Sequence, residues 1–451
     1  MINVDTPVSY RVSYAMGRLI SRWLARKYEF ESDEVPEICE PYIMVSNHQT
    51  EADQIFVALA SPRPVYFVCG EHLLRNRLYG KLLKLLADPI PVEKGKSSLS
   101  AVREMIRRVR AGRCVMIFPE GRRSYHGRTL PQPEALGKFI RQAGCTLVTY
   151  RLTGGFFIQA RWSRKKRRGP VKGRVVGVYA SDVLKAMTPT QITEIVNRDI
   201  KADAYEEQRK LMWTYRGGDP AEGMEKYLFM CPVCGAFDRM WAKDDEFGCA
   251  VCGMEGRIDE HGFLVGTACG AKNPDTPASD CAQGTVTPDG TGTPATVSTP
   301  PVSDCAPGTA ALGSADATGT PASPDTAPLP FDNTYDWTRW MEKEFDRYVE
   351  EQGDSLLFTE KAATLFEKDD NYKDVDLETC DVELYRDRMV MGDRVFRFKE
   401  IPSLTIIYSD VMFFTHGGVY YGMKGDLFHA WKCARLWQLE QGIADDPIRE
   451  I

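Results

Sequence analysis

Apolar and polar positions in the first 180 residues follow two alternating periods. Residues 42–45 (Tyr-Ile-Met-Val), 65–69 and 114–118 are apolar runs of strand length, as expected of strands buried on both faces. Between them the spacing becomes helical. Leu74, Leu78, Lys81, Leu82 and Leu85 line one side of a helix over 73–86. Leu99, Val102, Ile106 and Val109 repeat at three-to-four spacing, with Ser97 or Ser98 as cap and Gly112 as terminator. Residues 55–60 begin another helix, and 88–92 are extended. Strands alternating with helices predict an α/β domain with a largely parallel sheet. Such sheets bind ligands in the turns that leave the strand C-termini.

Ahead of this domain, Val12, Met16, Leu19, Ile20 and Trp23 form one helical stripe, with Arg11, Arg18, Arg22 and Arg26 largely off it. Two readings stand open: a helix packed on the domain, or a basic amphipathic helix lying in a bilayer surface.

The pattern changes after residue 220. Residues 266–330 are Thr, Pro, Gly, Ala, Ser and Asp with almost no large apolar side chains, and Ser-Asp-Cys-Ala-x-Gly-Thr recurs at 279 and 303. Such a stretch cannot bury a core and is expected to be a disordered linker. Residues 331–451 regain aromatic residues. They predict a helix over 337–351, short strands at 382–385, 395–398, 404–408, 411–414 and 419–421, and a final helix capped by Asp426. By fold-level analogy this looks like a pleckstrin-homology-type barrel.

Chemistry enters at Asn47-His48-Gln49-Thr50-Glu51-Ala52-Asp53, between the first strand and its helix. Five residues apart, His48 and Asp53 do not share a face of a regular helix. They meet if His48 occupies the turn and Asp53 the first helical turn. Asp53 then orients the ring, leaving the other nitrogen as a base. With no serine nucleophile in view, the natural task of this pair is to deprotonate a hydroxyl supplied by the substrate. A second block, Phe118-Pro119-Glu120-Gly121-Arg122-Arg123-Ser124, follows the strand at 114–118.

The two blocks, in this order and spacing, resemble the glycerolipid acyltransferase family, which includes lysophosphatidic acid acyltransferases; the resemblance covers about residues 35–180. It implies that Glu120, Gly121, Arg122 and Arg123 line a pocket for the acceptor phosphate. Arg122 or Arg123 would hold the phosphate and Glu120 would position the arginines. Where the family shows an Arg for that phosphate, this chain has Glu93-Lys94-Gly95, so Lys94 is the nearest cation. The apolar strand in which the family carries a Pro is here 147–150, without the Pro.

Charge divides the chain. Residues 1–220 hold 37 Lys+Arg against 22 Asp+Glu, a surplus of 15. The rest hold 20 against 41, a deficit of 21, which gives the net −6. A basic first half suits an anionic membrane surface or phosphorylated substrates. The run Arg161-Trp-Ser-Arg-Lys-Lys-Arg-Arg168 is either a solvated hairpin tip or a lipid-phosphate contact with Trp162 at the interface. No transmembrane helix or signal peptide is evident, which points to a cytoplasmic, peripherally membrane-bound protein.

Thirteen cysteines, an odd number, favour a reducing compartment. Cys231-x-x-Cys234 and Cys249-x-x-Cys252, each followed by Gly, have the spacing of a four-cysteine zinc ribbon. Four thiolates leave no open position, so the zinc is structural. The ribbon's Asp244, Asp245, Glu246, Asp259 and Glu260 speak against nucleic acid.

The sequence therefore predicts an acyltransferase domain at 1–220, a zinc ribbon at 225–265, a linker at 266–330 and a β-rich domain at 331–451. The resemblance implies transfer of a fatty acyl group from a thioester, acyl-CoA or acyl carrier protein, to the free hydroxyl of lysophosphatidate. Glycerol-3-phosphate as acceptor, or a membrane-docked adaptor with a degenerate acyltransferase domain, are the alternatives. With every catalytic candidate before residue 220, a 1–220 fragment is expected to keep some activity.

Overall fold

The computed structural model describes residues 8–70, 74, 79–92, 99–269, 326–368, 373–407 and 410–443. Lys94, the cap at Ser97 or Ser98 and most of the expected linker lie outside them.

The first domain is a seven-stranded sheet. Its strands are β1 (Phe30–Ser32), β2 (Tyr42–Ser46), β3 (Val65–Gly70), β4 (Ile90–Val92), β5 (Cys114–Ile117), β6 (Thr146–Thr153) and β7 (Val171–Tyr179), in the order β1-β7-β6-β2-β5-β3-β4. All neighbours are parallel except β6 and β7. β2 lies at the centre with all five residues buried. Its side chains alternate, as period two requires. Ile43 and Val45 join Val115, Ile117 and Leu147 in one core, under the helices Leu99–Arg110, Glu134–Ala143 and Pro189–Asp199. Tyr42 and Met44 join Phe56, Val148 and Phe156 in the other.

That second core does not stop at the domain edge. It runs through Trp162, Tyr215 and Tyr227 to Trp337, Phe345, Leu365 and Trp437. Three parts of the chain therefore share one apolar interior. The middle part is a five-stranded sheet of β8 (Met240–Lys243), β9 (Glu246–Cys249), β10 (Glu255–Ile258), β11 (Leu264–Cys269) and β12 (Thr326–Pro328), in the order β12-β11-β10-β9-β8. The last two strands extend regular structure into both ends of the stretch read as linker. The final part is a helix, Thr334–Gln352, then seven antiparallel strands, β13 (Phe358–Lys368), β14 (Asp374–Leu384), β15 (Arg388–Met391), β16 (Arg394–Arg397), β17 (Leu404–Ile407), β18 (Val411–His416) and β19 (Val419–Lys424), ordered β16-β15-β14-β13-β19-β18-β17, and a closing helix Ala430–Gln441.

The basic run at 161–168 is divided: Arg161, Trp162 and Arg167 are buried, while Arg164, Lys165, Lys166 and Arg168 are exposed. Trp162 is buried and its indole N–H donates to Pro220 O at 2.8 Å. Arg161 donates to Arg123 O and Ile406 O, and Arg167 to Tyr215 O and Asp259 O. Arg164 pairs with Asp410 and Lys165 with Asp219. The run ties the first domain to the other two. Acidic partners far along the chain took up charge that a local reading assigns to lipid.

The expected cap at Asp426 is also displaced: the last helix starts at Ala430, and His429 N–H donates to Glu360 Oε2 at 2.8 Å.

Candidate active site

β2 and β5 are adjacent and parallel, so the turns leaving their C-termini emerge side by side. The first carries His48 and the second Glu120. Asp53 opens the helix Asp53–Ala60, and its Oδ2 is 2.8 Å from His48 Nδ1. The same oxygen accepts the N–H groups of Gln49 at 2.6 Å and Thr50 at 2.9 Å. One fully buried carboxylate oxygen thus folds the turn back on itself and holds the imidazole. With Nδ1–H committed to Asp53, Nε2 carries the lone pair. The ring stacks on Phe118 at 4.3 Å between centroids and keeps some solvent access.

The backbone of His48 is gripped from both sides by the second block. Its N–H donates to Glu120 Oε1 at 2.8 Å, and its carbonyl accepts from Ser124 N–H at 2.8 Å. Glu120 Oε2 accepts from Leu130 N–H at 3.3 Å. Both Glu120 oxygens thus accept backbone N–H groups, one from each side of the site. Through these contacts Glu120 registers the two turns against each other. Burial pushes the Glu120 carboxyl up to about 8, against the pull of the His48 and Leu130 N–H groups and Arg122. Gly121 between these contacts has φ +70, a left-handed conformation a side chain would strain.

The two arginines diverge. Arg122 is buried, 5.5 Å from the Tyr125 ring. Arg123 reaches the His48 turn, its Nη2 3.5 Å from Glu51 Oε1. Tyr125 donates to Ile406 O at 2.9 Å, so a strand of the last domain abuts this loop. Beyond it, His126 shares a hydrogen bond with Tyr227, and burial, with Arg122, Arg339 and Arg128 adding to it, pushes its imidazole down to about 3.

Several contributors were not singled out from sequence. Asn47 bridges Leu152 through both amide atoms, each at 2.8 Å, and so fixes the end of β2 to β6. Phe118 and Ser124 act through ring stacking and a backbone N–H. Only their place inside the two blocks could have flagged them. Lys94 lies outside the described residues.

The four cysteines converge as well. All four sulfurs lie within 4.8 Å of one another, with Cys231–Cys252 at 3.7 Å and Cys234–Cys249 at 3.8 Å. Tetrahedral zinc with bonds of about 2.3 Å sets sulfurs about 3.8 Å apart, so the donor set fits. Gly235 and Gly253 close the two knuckles at φ +72 and +70.

Residues 27–153 match the family model described as Acyltransferase. Over 137 residues the chain is 27% identical to the 1-acyl-sn-glycerol-3-phosphate acyltransferase of Streptococcus pneumoniae, covering 30% of this chain and 50% of that protein. The chain thus spans half the length of this curated relative. The crystal structure of the 1-acyl-sn-glycerophosphate (LPA) acyltransferase, PlsC, from Thermotoga maritima aligns at 18% identity with a TM-score of 0.35, covering 42% of this chain and 78% of that one.

Proposed function

From the premise that residues 27–153 belong to the glycerolipid acyltransferase family, we propose that this protein moves a fatty acyl group from a thioester onto the free hydroxyl of lysophosphatidate. The observation that carries the mechanism is the 2.8 Å contact of His48 Nδ1 with Asp53, with the His48 backbone held by Glu120 and Ser124. His48 Nε2 takes the hydroxyl proton as the acceptor oxygen attacks the thioester carbonyl. The carbon–sulfur bond then breaks, and the proton passes to the departing thiolate. Asp53 holds the ring in the required tautomer and stabilises the imidazolium. Arg123, facing the same turn, holds the acceptor phosphate.

The test is acyl transfer by purified full-length protein, with lysophosphatidate and glycerol-3-phosphate as competing acceptors and acyl-CoA and acyl carrier protein as alternative donors. His48→Ala should lower kcat about a hundredfold or more while the protein stays folded. Turnover within a few-fold of wild type would remove His48 from the chemistry.

The cysteine cluster supports a structural zinc ribbon. About one zinc per chain is expected by elemental analysis, lost in a Cys231→Ser/Cys252→Ser variant. Folded wild-type protein without metal would refute it. The order of the last seven strands and the closing helix support a pleckstrin-homology-type barrel. Membrane association is proposed through the first helix, whose Val12, Met16, Leu19 and Trp23 are exposed.

A further inference from the structure

Lys166 is held in place by its neighbours. Arg167 N–H donates to Ile158 O at 2.8 Å, and the Arg167 guanidinium is buried against Tyr215 O and Asp259 O. On the other side Lys165 pairs with Asp219, and its carbonyl accepts from Ser163 Oγ at 3.0 Å. With both flanks turned toward the middle part of the chain, Lys166 points back to the His48 turn. Its Nζ lies 3.2 Å from Glu51 Oε2, and the other Glu51 oxygen faces Arg123 Nη2 at 3.5 Å. Glu51 stands between His48 and Asp53 in sequence, and its side chain is 42% exposed. One half-exposed carboxylate therefore lies between two cations, one from the Glu120 block and one from a run more distant in the chain.

We propose that Arg123 and Lys166 are the paired cations of the acceptor-phosphate subsite, and that Glu51 is an internal competitor which restricts the acceptor to phosphomonoesters. The proposal rests on the acyl-transfer reading above. It assigns the second cation to Lys166, in the role expected of Lys94.

A phosphomonoester carries about −1.5 to −2 charges at neutral pH, against −1 for Glu51. It attracts two cations more strongly than the carboxylate does and displaces it. Partly exposed ion pairs are weak, so the exchange costs little. A phosphodiester carries only one charge. It gains nothing over Glu51 in the exchange and is repelled by the carboxylate it fails to displace. Specificity is a difference of affinities, and an unfavourable contact with the wrong ligand contributes to it as an added attraction to the right one does. Neither residue need touch the reacting atoms; both act on acceptor binding and choice.

The experiment uses full-length protein and two lysolipids with the same acyl chain, lysophosphatidate (monoester) and lysophosphatidylglycerol (diester), with a fixed thioester donor. Lys166→Gln should raise the KM for lysophosphatidate about tenfold, leaving kcat and the donor KM within twofold, and Lys166→Arg should restore it. Glu51→Gln should raise kcat/KM for the diester about tenfold, with a much smaller gain for the monoester. A fall in kcat with both KM values unchanged would show Lys166 to be merely structural and overturn the subsite, as would unaltered acceptor selectivity in Glu51→Gln. Calorimetric binding of sn-glycerol 3-phosphate needs no turnover. Weaker binding in Lys166→Gln and tighter binding in Glu51→Gln support the subsite even if wild type transfers acyl groups to neither lipid, in which case the acyl-transfer reading alone fails. No binding by wild type at millimolar ligand overturns the subsite.

Discussion

Two stretches of this chain look alike as strings of letters. The first helix, Val8–Arg26, and the run at 161–168 are both rich in arginine and both contain a tryptophan. The fold treats them in opposite ways. Trp23 is 70% exposed and Trp162 is 4% exposed. The first helix docks through polar tips: Tyr10 and Tyr14 donate to Val65 O and Ala58 O, each at 3.0 Å, and Arg18 donates to Leu59 O and Ser61 O. Its apolar stripe is left facing outward, the reverse of a helix packed for water. The later run buries its tryptophan and spends the guanidinium groups of Arg161 and Arg167 on backbone carbonyls of distant segments. Arginine is suited to that work, because one planar fork satisfies several acceptors at once. Charge density alone cannot separate a lipid-facing helix from an internal clamp; the position of the acceptors decides, and these lie at residues 219, 259, 406 and 410.

The largest test removes the clamp's partners. Truncation after residue 220 would strip Tyr227 and Trp431 from the rings of Trp162 and Tyr125, which they approach to 5.3 and 4.4 Å. Against the expectation from sequence, such a fragment should aggregate or lose activity. A soluble, active 1–220 fragment would mean that the shared core is dispensable. The point version compares the two tryptophans in denaturant titrations. Trp162→Ala should cost about 3–5 kcal/mol, whereas Trp23→Ala should stay within about 0.5 kcal/mol. Equal losses would erase the distinction between the two regions.

Next in size is an ion cluster that clamps the middle part to the last. Lys432, fully buried, lies 2.8 Å from Glu360 Oε1 and 2.5 Å from Asp238 Oδ2, with His429 Nδ1 2.9 Å from Glu360. Burial alone would raise the Glu360 carboxyl, but His429 and Lys432 outweigh it and hold the group at about 2. A carboxyl depressed in the folded state contributes fully above its ordinary value of about 4.3 and loses that contribution as pH falls toward 2. The loss is on the order of 3 kcal/mol. Glu360→Gln should lower stability at pH 7 and flatten its decline between pH 4.5 and 2.5. An unchanged acid slope in the variant would remove Glu360 from the clamp.

How much of this was legible depends on the distance over which each cause acts. The His48–Asp53 contact lies within one turn, and its five-residue spacing already requires a histidine in the loop and an aspartate at the helix start. The parallel sheet was legible for the same reason, since buried runs and helical spacing are local. The contacts of Glu120 with the His48 and Leu130 backbone were not, because every residue but Pro carries an N–H. Strand β13 escaped because charged residues interleave its apolar ones and its pairing slips between Glu360 and Ala363, where Ala362 has φ +50. The cap of the last helix was misplaced because the acceptor, Glu360, arrives from 69 residues away.

The smallest expected effect probes the other half of the comparison. If the outward stripe of the first helix meets a bilayer, binding has two parts. Val12, Met16, Leu19 and Trp23 supply an apolar part that salt does not screen. Arg22 and Arg26, exposed on the same helix, add on the order of 1 kcal/mol each on an anionic surface, and salt screens that over about 10 Å. Sedimentation with anionic vesicles should therefore fall partly, not wholly, as salt rises. Trp23→Ala should reduce the salt-resistant fraction, and Arg22→Gln/Arg26→Gln the salt-sensitive one. Replacing Arg164 and Lys165 by Gln should leave both fractions nearly unchanged, because Arg164 is paired with Asp410 and Lys165 with Asp219. If that last variant instead releases the protein from vesicles while Arg22→Gln/Arg26→Gln does not, the assignment reverses: the clamp would also be the lipid contact, and the exposed stripe of the first helix would belong to another partner.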